Sequence, residues 1–269
     1  MSFGRLVLPL VAAVFSVPAS AALIGLSSES PGVLYSIDPA TGAATQIVTI
    51  TAAPSFTGLE VLNGTIYATD VYNSGYTFGT INPVTGNYTP LNTQGGSNNW
   101  HGLAASVAAN LLYSVDLDNN NSLVSVTPDG STVTTIGGGT GAGIRGLAYD
   151  DANGILYGVD ISNLYTINTA TGVATLVGPT GLSDFLPGLA YDPVAQILYL
   201  NIGGGGSDLV GLYTLNIATG AATFVGANGT VSIDGLAYLA DSAVPEPATM
   251  ALAAIGLAGM SLARRKRLI

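Results

Sequence analysis

Few side chains in this sequence could do chemistry, and they are scattered. Only 8% of its 269 residues are charged, against roughly 25% in an ordinary soluble protein. It has one histidine, His101, one tryptophan, Trp100, and no cysteine. Thiolate nucleophiles, disulfides and cysteine metal sites are therefore excluded. Between Ala22 and Val244 a single basic residue, Arg145, stands against fifteen Asp and Glu, a formal charge of −14. A body of that charge has no electrostatic footprint for nucleic acid, and anionic lipid headgroups repel it. Glu60 and Asp234 are the candidate catalytic pair: two carboxylates facing each other across a cleft are what glycoside hydrolysis requires. Trp100 and His101 could hold a sugar face and its hydroxyls, with Arg145 beside them. The bland alternative is an ion pair in which Arg145 neutralises Glu60 and shares Asp234, with Trp100 filling a gap. Asp116, Asp118 and Asn120 resemble the opening of a calcium loop, but its glycine and closing Glu are missing. Aspartates that cap hairpin turns explain the same pattern without metal. Gly203 to Gly206 has no following lysine or helix and reads as a flexible loop rather than a phosphate cradle. Sequons at Asn63, Asn87, Asn120 and Asn228 read as turn asparagines. No cofactor is implied.

The elements that must position these residues repeat. A Gly-Leu pair opens a short apolar segment at Gly58, Gly102, Gly146, Gly188 and Gly235, at spacings of 44, 44, 42 and 47. A turn ending in glycine recurs at Gly42, Gly86, Gly130, Gly172 and Gly220, at spacings of 44, 44, 42 and 48. Two independent markers with one period establish a repeat. Within a unit, four runs rich in Val, Ile, Leu, Thr and Tyr are bounded by turn residues, a strand signature. Turns such as Asp38-Pro-Ala-Thr-Gly42 have a capping Asp, a Pro that presets φ, and a Gly that accepts positive φ. No stretch between the ends has a sustained helical period.

Four antiparallel strands every 40–50 residues predict blades of a β-propeller. The chain starts at a second strand, Leu23 to Leu26, and ends on a lone first strand, Gly235 to Tyr238. The last strand can thus complete the blade that the first begins, which gives five blades in an all-β fold. An open β-solenoid with a 44-residue coil is the alternative. The first strand of each blade then lines a central channel. The residues before each Gly-Leu pair (Thr57, His101, Arg145, Pro187 and Asp234) form a ring at its mouth. Two residues after each Gly stand Glu60, Ala104, Ala148, Ala190 and Ala237. Period-2 alternation places these on the channel side, with each Leu packed between blades. The second strands end on the mouth face at Asp70, Asp116 and Asp160, with Ser27 and Ile202 in the other blades.

The two ends read as addresses. Arg5, the apolar run Leu6 to Val17 and the small-x-small site Ala19-Ser20-Ala21 make residues 1–21 a signal peptide. The propeller spans 22–241. In 242–269, Val244 is followed by Pro245, Glu246 and Pro247. An apolar helix of about 248–263 then runs into Arg264, Arg265, Lys266 and Arg267, a basic tail that stays in the cytoplasm. This end resembles the PEP-CTERM sorting signal of exported Gram-negative proteins. The resemblance implies signal peptidase and an exosortase as processing partners. It also implies a transient inner-membrane anchor through the helix, then the cell surface or extracellular matrix. It says nothing of the body.

The function these features predict is a non-enzymatic structural or adhesive module in extracellular polysaccharide or biofilm. The alternatives are a lectin-like glycan binder and a glycoside hydrolase using the channel-mouth carboxylates.

Overall fold

Each of the strand runs forms where its sequence places it, and each ends at its turn residues. The computed structural model describes residues 22–27, 29, 31–51, 56–70, 77–93, 99–183, 187–204, 208–229 and 231–239. The expected signal peptide and the helix at about 248–263 lie outside them. The first blade starts with β1 (Ala22–Leu26), β2 (Val33–Ile37) and β3 (Ala44–Thr49). Blade two is β4 (Phe56–Leu62), β5 (Thr65–Asp70), β6 (Thr77–Ile81) and β7 (Tyr88–Thr93). Blade three is β8 (Trp100–Ser106), β9 (Leu111–Asp116), β10 (Ser122–Val126) and β11 (Val133–Ile136). Blade four is β12 (Gly146–Asp150), β13 (Ile155–Val159), β14 (Asn163–Ile167) and β15 (Ala174–Pro179). Blade five is β16 (Pro187–Asp192), β17 (Ile197–Ile202), β18 (Gly211–Leu215) and β19 (Ala222–Gly226), and β20 (Gly235–Leu239) follows it.

β20 pairs antiparallel with β1, in register from Ala22↔Leu239 to Leu26↔Gly235, so the first sheet has the order β20-β1-β2-β3. The ring is thus closed by hydrogen bonds between the two ends of the described chain. The other four sheets are simple antiparallel meanders. The protein is an all-β five-bladed propeller with four-stranded blades. Ala21–Ala240 forms one compact unit.

The inner strands β4, β8, β12, β16 and β20 neighbour one another in a closed ring. Their approach is governed by the Gly of each Gly-Leu pair. A Cβ on Gly58 would lie 2.9 Å from the carbonyl carbon of Gly102, and one on Gly102 would lie 2.8 Å from the Leu147 nitrogen. Likewise, a Cβ on Gly188 would lie 2.9 Å from the Leu236 nitrogen, and one on Gly235 would lie 2.9 Å from Leu59 Cβ. Backbone meets backbone around the axis, and only glycine leaves room.

The alanines two residues further on do not line the channel, contrary to the alternation argument. Ala104 is buried with Leu147, Ala148 with Leu189, Ala190 with Leu236 and Ala237 with Leu59, in each case the leucine of the next blade. Blades stand radially, so both faces of an inner strand abut neighbouring blades. Alternation separates the preceding blade from the following one rather than channel from core.

The turns between third and fourth strands also hold neighbouring blades together. Their glycines have φ of 74° at Gly42, 73° at Gly86, 71° at Gly130, 75° at Gly172 and 81° at Gly220. Asp38 and Asn82 cap their turns: Asp38 Oδ1 accepts from Ala40 N at 2.8 Å and Asn82 Oδ1 from Val84 N at 2.9 Å. A side chain on Gly42 would collide with the Gly226 carbonyl of blade five, and one on Gly86 with the Thr49 carbonyl of blade one. Ala222 N donates to Thr180 O at 3.0 Å and Thr51 N to Gly86 O at 2.9 Å, tying adjacent blades at the rim.

Gly42 and Gly181 separate the two demands. Both have positive φ, but nothing lies within 4 Å of a Cβ at Gly181. Gly181→Ala should cost about 1–2 kcal/mol, the left-handed penalty alone. Gly42→Ala should cost about 3 kcal/mol or more, because a blade contact is lost as well. Urea unfolding of the two variants measures the difference.

Candidate functional site

The mouth ring and Glu60 turn out to be separate places. Thr57 occupies a bulge of β4, the one residue between the pairs Phe56↔Asp70 and Gly58↔Thr69. Its Oγ1 donates to Trp100 O at 2.9 Å, stitching blade two to blade three. β8 is bulged as well, between His101 and Ala104. Gly102 has φ 61° there, and Ser114 Oγ contacts the carbonyls of His101 and Gly102 at 3.2 and 2.8 Å.

His101 is buried, with Nε2 2.9 Å from Asn99 Oδ1. Asn99 Nδ2 donates to Asp118 Oδ1 at 3.4 Å, which leaves the Asn99 oxygen facing the ring. Burial, and then the nearby Arg145 charge, pushes the imidazole down to about 4, so it is neutral at physiological pH. Arg145 lies near enough for its charge to act on His101. Sequence reasoning missed Asn99, which belongs to no motif. Asp234 is buried at the start of β20, where its nitrogen donates to Leu26 O at 3.0 Å and its Oδ1 accepts from Ser232 Oγ at 3.3 Å. The side chain of Pro187 is outside the described set.

Trp100 is only 6% exposed and packs against Phe78, with ring centroids 6.4 Å apart, among Leu62, Leu103 and Leu112. It fills the seam between blades two and three and offers no face to a sugar.

Glu60 lies three residues beyond Thr57, about 10 Å along the strand. It occupies the position held by alanine in the other four blades and so points into the seam toward blade three. Its Oε1 accepts from Val61 N at 2.8 Å, the Ala105 amide also donates to it, and the nearest charge is Asp151. The expected pairing with Arg145 and Asp234 does not form, because those two belong to the mouth end while Glu60 faces the other. Burial, reinforced by Asp151 and opposed by the two amides, pushes the carboxyl up to about 8. Asp151 is itself engaged by Ser106 Oγ at 3.0 Å, Val107 N at 2.7 Å and Ala108 N at 3.3 Å, so it caps the turn of blade three.

The calcium candidates diverge in the same way. Asp116 Oδ1 accepts from Asp118 N at 3.2 Å, while Asn120 Nδ2 donates to Gly138 O at 2.6 Å. Asp160 takes Ser162 N at 2.8 Å, Asn163 N at 2.7 Å and the Tyr165 hydroxyl at 2.8 Å. Ser27 Oγ accepts from Val33 N at 2.9 Å, and the side chain of Asp70 is outside the described set. Among the described residues no three His, Cys, Asp or Glu are grouped to hold a metal ion. Of the sequon asparagines, Asn228 is buried and donates to Asn201 Oδ1 at 2.6 Å.

Comparison with known proteins supports the same class of fold. A chain from the crystal structure of a nidogen/laminin complex superposes with a TM-score of 0.58 at 16% identity, over 82% of this chain and 99% of that one. At that identity the likeness concerns the fold alone. No curated protein matches the chain significantly. Residues 243–267 match the PEP-CTERM protein-sorting motif, so the chain is an exported propeller that carries the mark of an exosortase substrate. The motif implies membrane-anchored sorting and exosortase processing.

The proton on Glu60 has a measurable consequence. Between its ordinary value of 4.5 and about 8 the folded chain binds this proton and the unfolded chain does not. Its contribution is complete below pH 4.5 and is lost as pH rises toward 8. His101 works in the opposite sense: its contribution is present above 6.5 and is lost as pH falls toward 4. Glu60→Gln should leave stability at pH 4 unchanged and raise it at pH 8 by about 2–4 kcal/mol, allowing for the solvent that still reaches this residue. Urea midpoints across that range test this, and parallel curves for both proteins would refute it. Because the candidate ligands serve as turn caps, EDTA should leave the melting temperature unchanged.

Proposed function

We propose that the mature propeller is a non-enzymatic structural or adhesive module of the cell surface or extracellular polysaccharide matrix. What carries this reading is the use of the carboxylates. Asp38, Asp116, Asp150, Asp151, Asp160 and Asp192 each cap a turn, and Glu60 binds amides in a blade seam. The two carboxylates a hydrolase would need, Glu60 and Asp234, sit toward opposite ends of the inner ring. The sorting motif supplies the destination.

A glycan-binding role is the second reading. Arg145 is half-buried at the mouth. Beside it are a neutral imidazole and the Asn99 amide. A guanidinium so placed suits the carboxylate of an acidic sugar.

One experiment separates these from hydrolysis. Purified protein is incubated with neutral and uronate-rich matrix polysaccharides, and both co-sedimentation and reducing ends are measured. The structural reading expects no reducing ends above background. Co-sedimentation with the acidic polymer that weakens about tenfold in Arg145→Ala would establish the mouth as a binding site. Release of reducing ends that is lost in Glu60→Gln would overturn the non-enzymatic reading.

A further inference from the structure

The seams between blades are not equally secured. Asp151 of blade four takes Ser106 Oγ, Val107 N and Ala108 N of blade three. Tyr157 of blade four lies against Tyr191 of blade five, with ring centroids 6.0 Å apart, and Tyr191 also bonds Asp150. Asn201 of blade five is fully buried and donates through Nδ2 to Ile233 O at 2.8 Å, at the entry to β20.

The seam between blades two and three differs in three independent ways. β4 and β8, the inner strands that meet there, are both bulged, whereas β12, β16 and β20 pair without a register shift. Trp100 fills the seam, but its Nε1 is buried and finds no acceptor among the described residues. A buried donor left without a partner weakens the packing around it. Glu60 then puts a carboxyl where the other four blades have alanine. Hydrogen bonds pin the seam toward its ends, from Thr57 Oγ1 to Trp100 O at 2.9 Å and from Asn63 Nδ2 to Asn110 Oδ1 at 3.2 Å. Between them, the Ala105 amide of blade three donates to Glu60.

The charge state of Glu60 decides how well that middle holds. Among the elements packed against β4, β5 places Tyr67 opposite Glu60, β8 has His101, β20 has Tyr238, β16 has Tyr191 and Asp192, and β1 has no titratable group. The charge that acts on Glu60 is Asp151. Between pH 5 and 8 His101 is neutral, and burial holds the Tyr67 and Tyr191 hydroxyls protonated. In the closed ring Glu60 keeps its proton up to about 8. In an open seam water reaches the carboxyl and its ordinary value of 4.5 returns, so loss of the proton favours the open form.

We propose that the ring opens locally at the seam between blades two and three, and that the proton on Glu60 is its latch. The other seams stay closed while β4 and β8 part, which exposes Trp100 and the apolar side chains around it. The sorting motif marks the chain for export, so the proton comes from the medium outside the cell. The latch therefore couples the rigidity of the ring to external pH. It goes beyond the role proposed above and holds for either reading of the mouth.

The chain has no cysteine, so a single buried thiol can report the opening. Val124, 2% exposed, faces this seam from blade three, and Val159, 1% exposed, faces the seam between blades four and five. Val124→Cys and Val159→Cys are made separately in the full chain, held in mild detergent, and thiol alkylation is timed in native buffer. At pH 8 the thiol at 124 should react about tenfold faster, or more, than the thiol at 159. Adding Glu60→Gln should slow the reaction at 124. That slowing should grow about tenfold per pH unit between pH 5.5 and 7.5 and level off above 8. Comparing the two forms at one pH cancels the ionisation of the thiol itself. Equal rates at 124 and 159 would mean that the propeller opens only by unfolding as a whole, and would overturn the proposal. So would a fast reaction at 124 that Glu60→Gln leaves unchanged. Deuterium uptake by the unsubstituted chain at pH 8 gives a check free of engineered thiols. β4 and β8 should exchange before β16 and β17, and uniform uptake would count against the weak seam.

Discussion

The close approach of five inner strands around one axis is the constraint from which the rest of the architecture follows. With so few blades, each inner strand meets the backbone of the next at distances where a Cβ has no room. Gly58, Gly102, Gly188 and Gly235 all show this crowding. The same geometry requires the residue two positions on to be small. Ala104, Ala148, Ala190 and Ala237 then receive the leucine of the following blade, and apolar contact is continuous around the ring. Closure by β20 against β1 uses the same unit, because the last Gly-Leu pair supplies the missing inner strand.

Glu60 is the exception to the small-residue rule, and its chemistry follows from its position. A carboxylate placed in an apolar seam gains two amide donors but loses most of its water, so it retains its proton near neutrality. A perturbed carboxyl often marks a catalytic site. In this case the one carboxylate among the described residues whose charge acts on it, Asp151, is held by three donors of a turn. The perturbation is explained by burial within the fold.

The rim and the two ends divide the remaining tasks. Turn glycines and their Asx caps clamp adjacent blades at the circumference, and the same caps project Val84, Val107 and Val194 outward. At the mouth, next to the bulges at Thr57 and Gly102, His101 bonds Asn99 and feels the charge of Arg145.

Repeat length, blade number, strand boundaries and ring closure were legible in the sequence because they depend on local chemistry: turns ending in glycine, Gly-Leu pairs and β-branched runs, each recurring at one period. The sorting motif was legible for the same reason, being contiguous. The partners of Glu60 and the role of Trp100 were not. Alternation separates two faces of a strand but does not say which neighbour each face meets. Asn99 carried no signal, since its importance comes from Asp118 orienting it toward His101 across a turn. Sequence alone therefore determined which elements exist, how many there are and how the ring closes. Only the tertiary structure decided which carboxylates have water, which have amides and which side chains remain exposed, because those properties arise from contacts between blades some 44 residues apart.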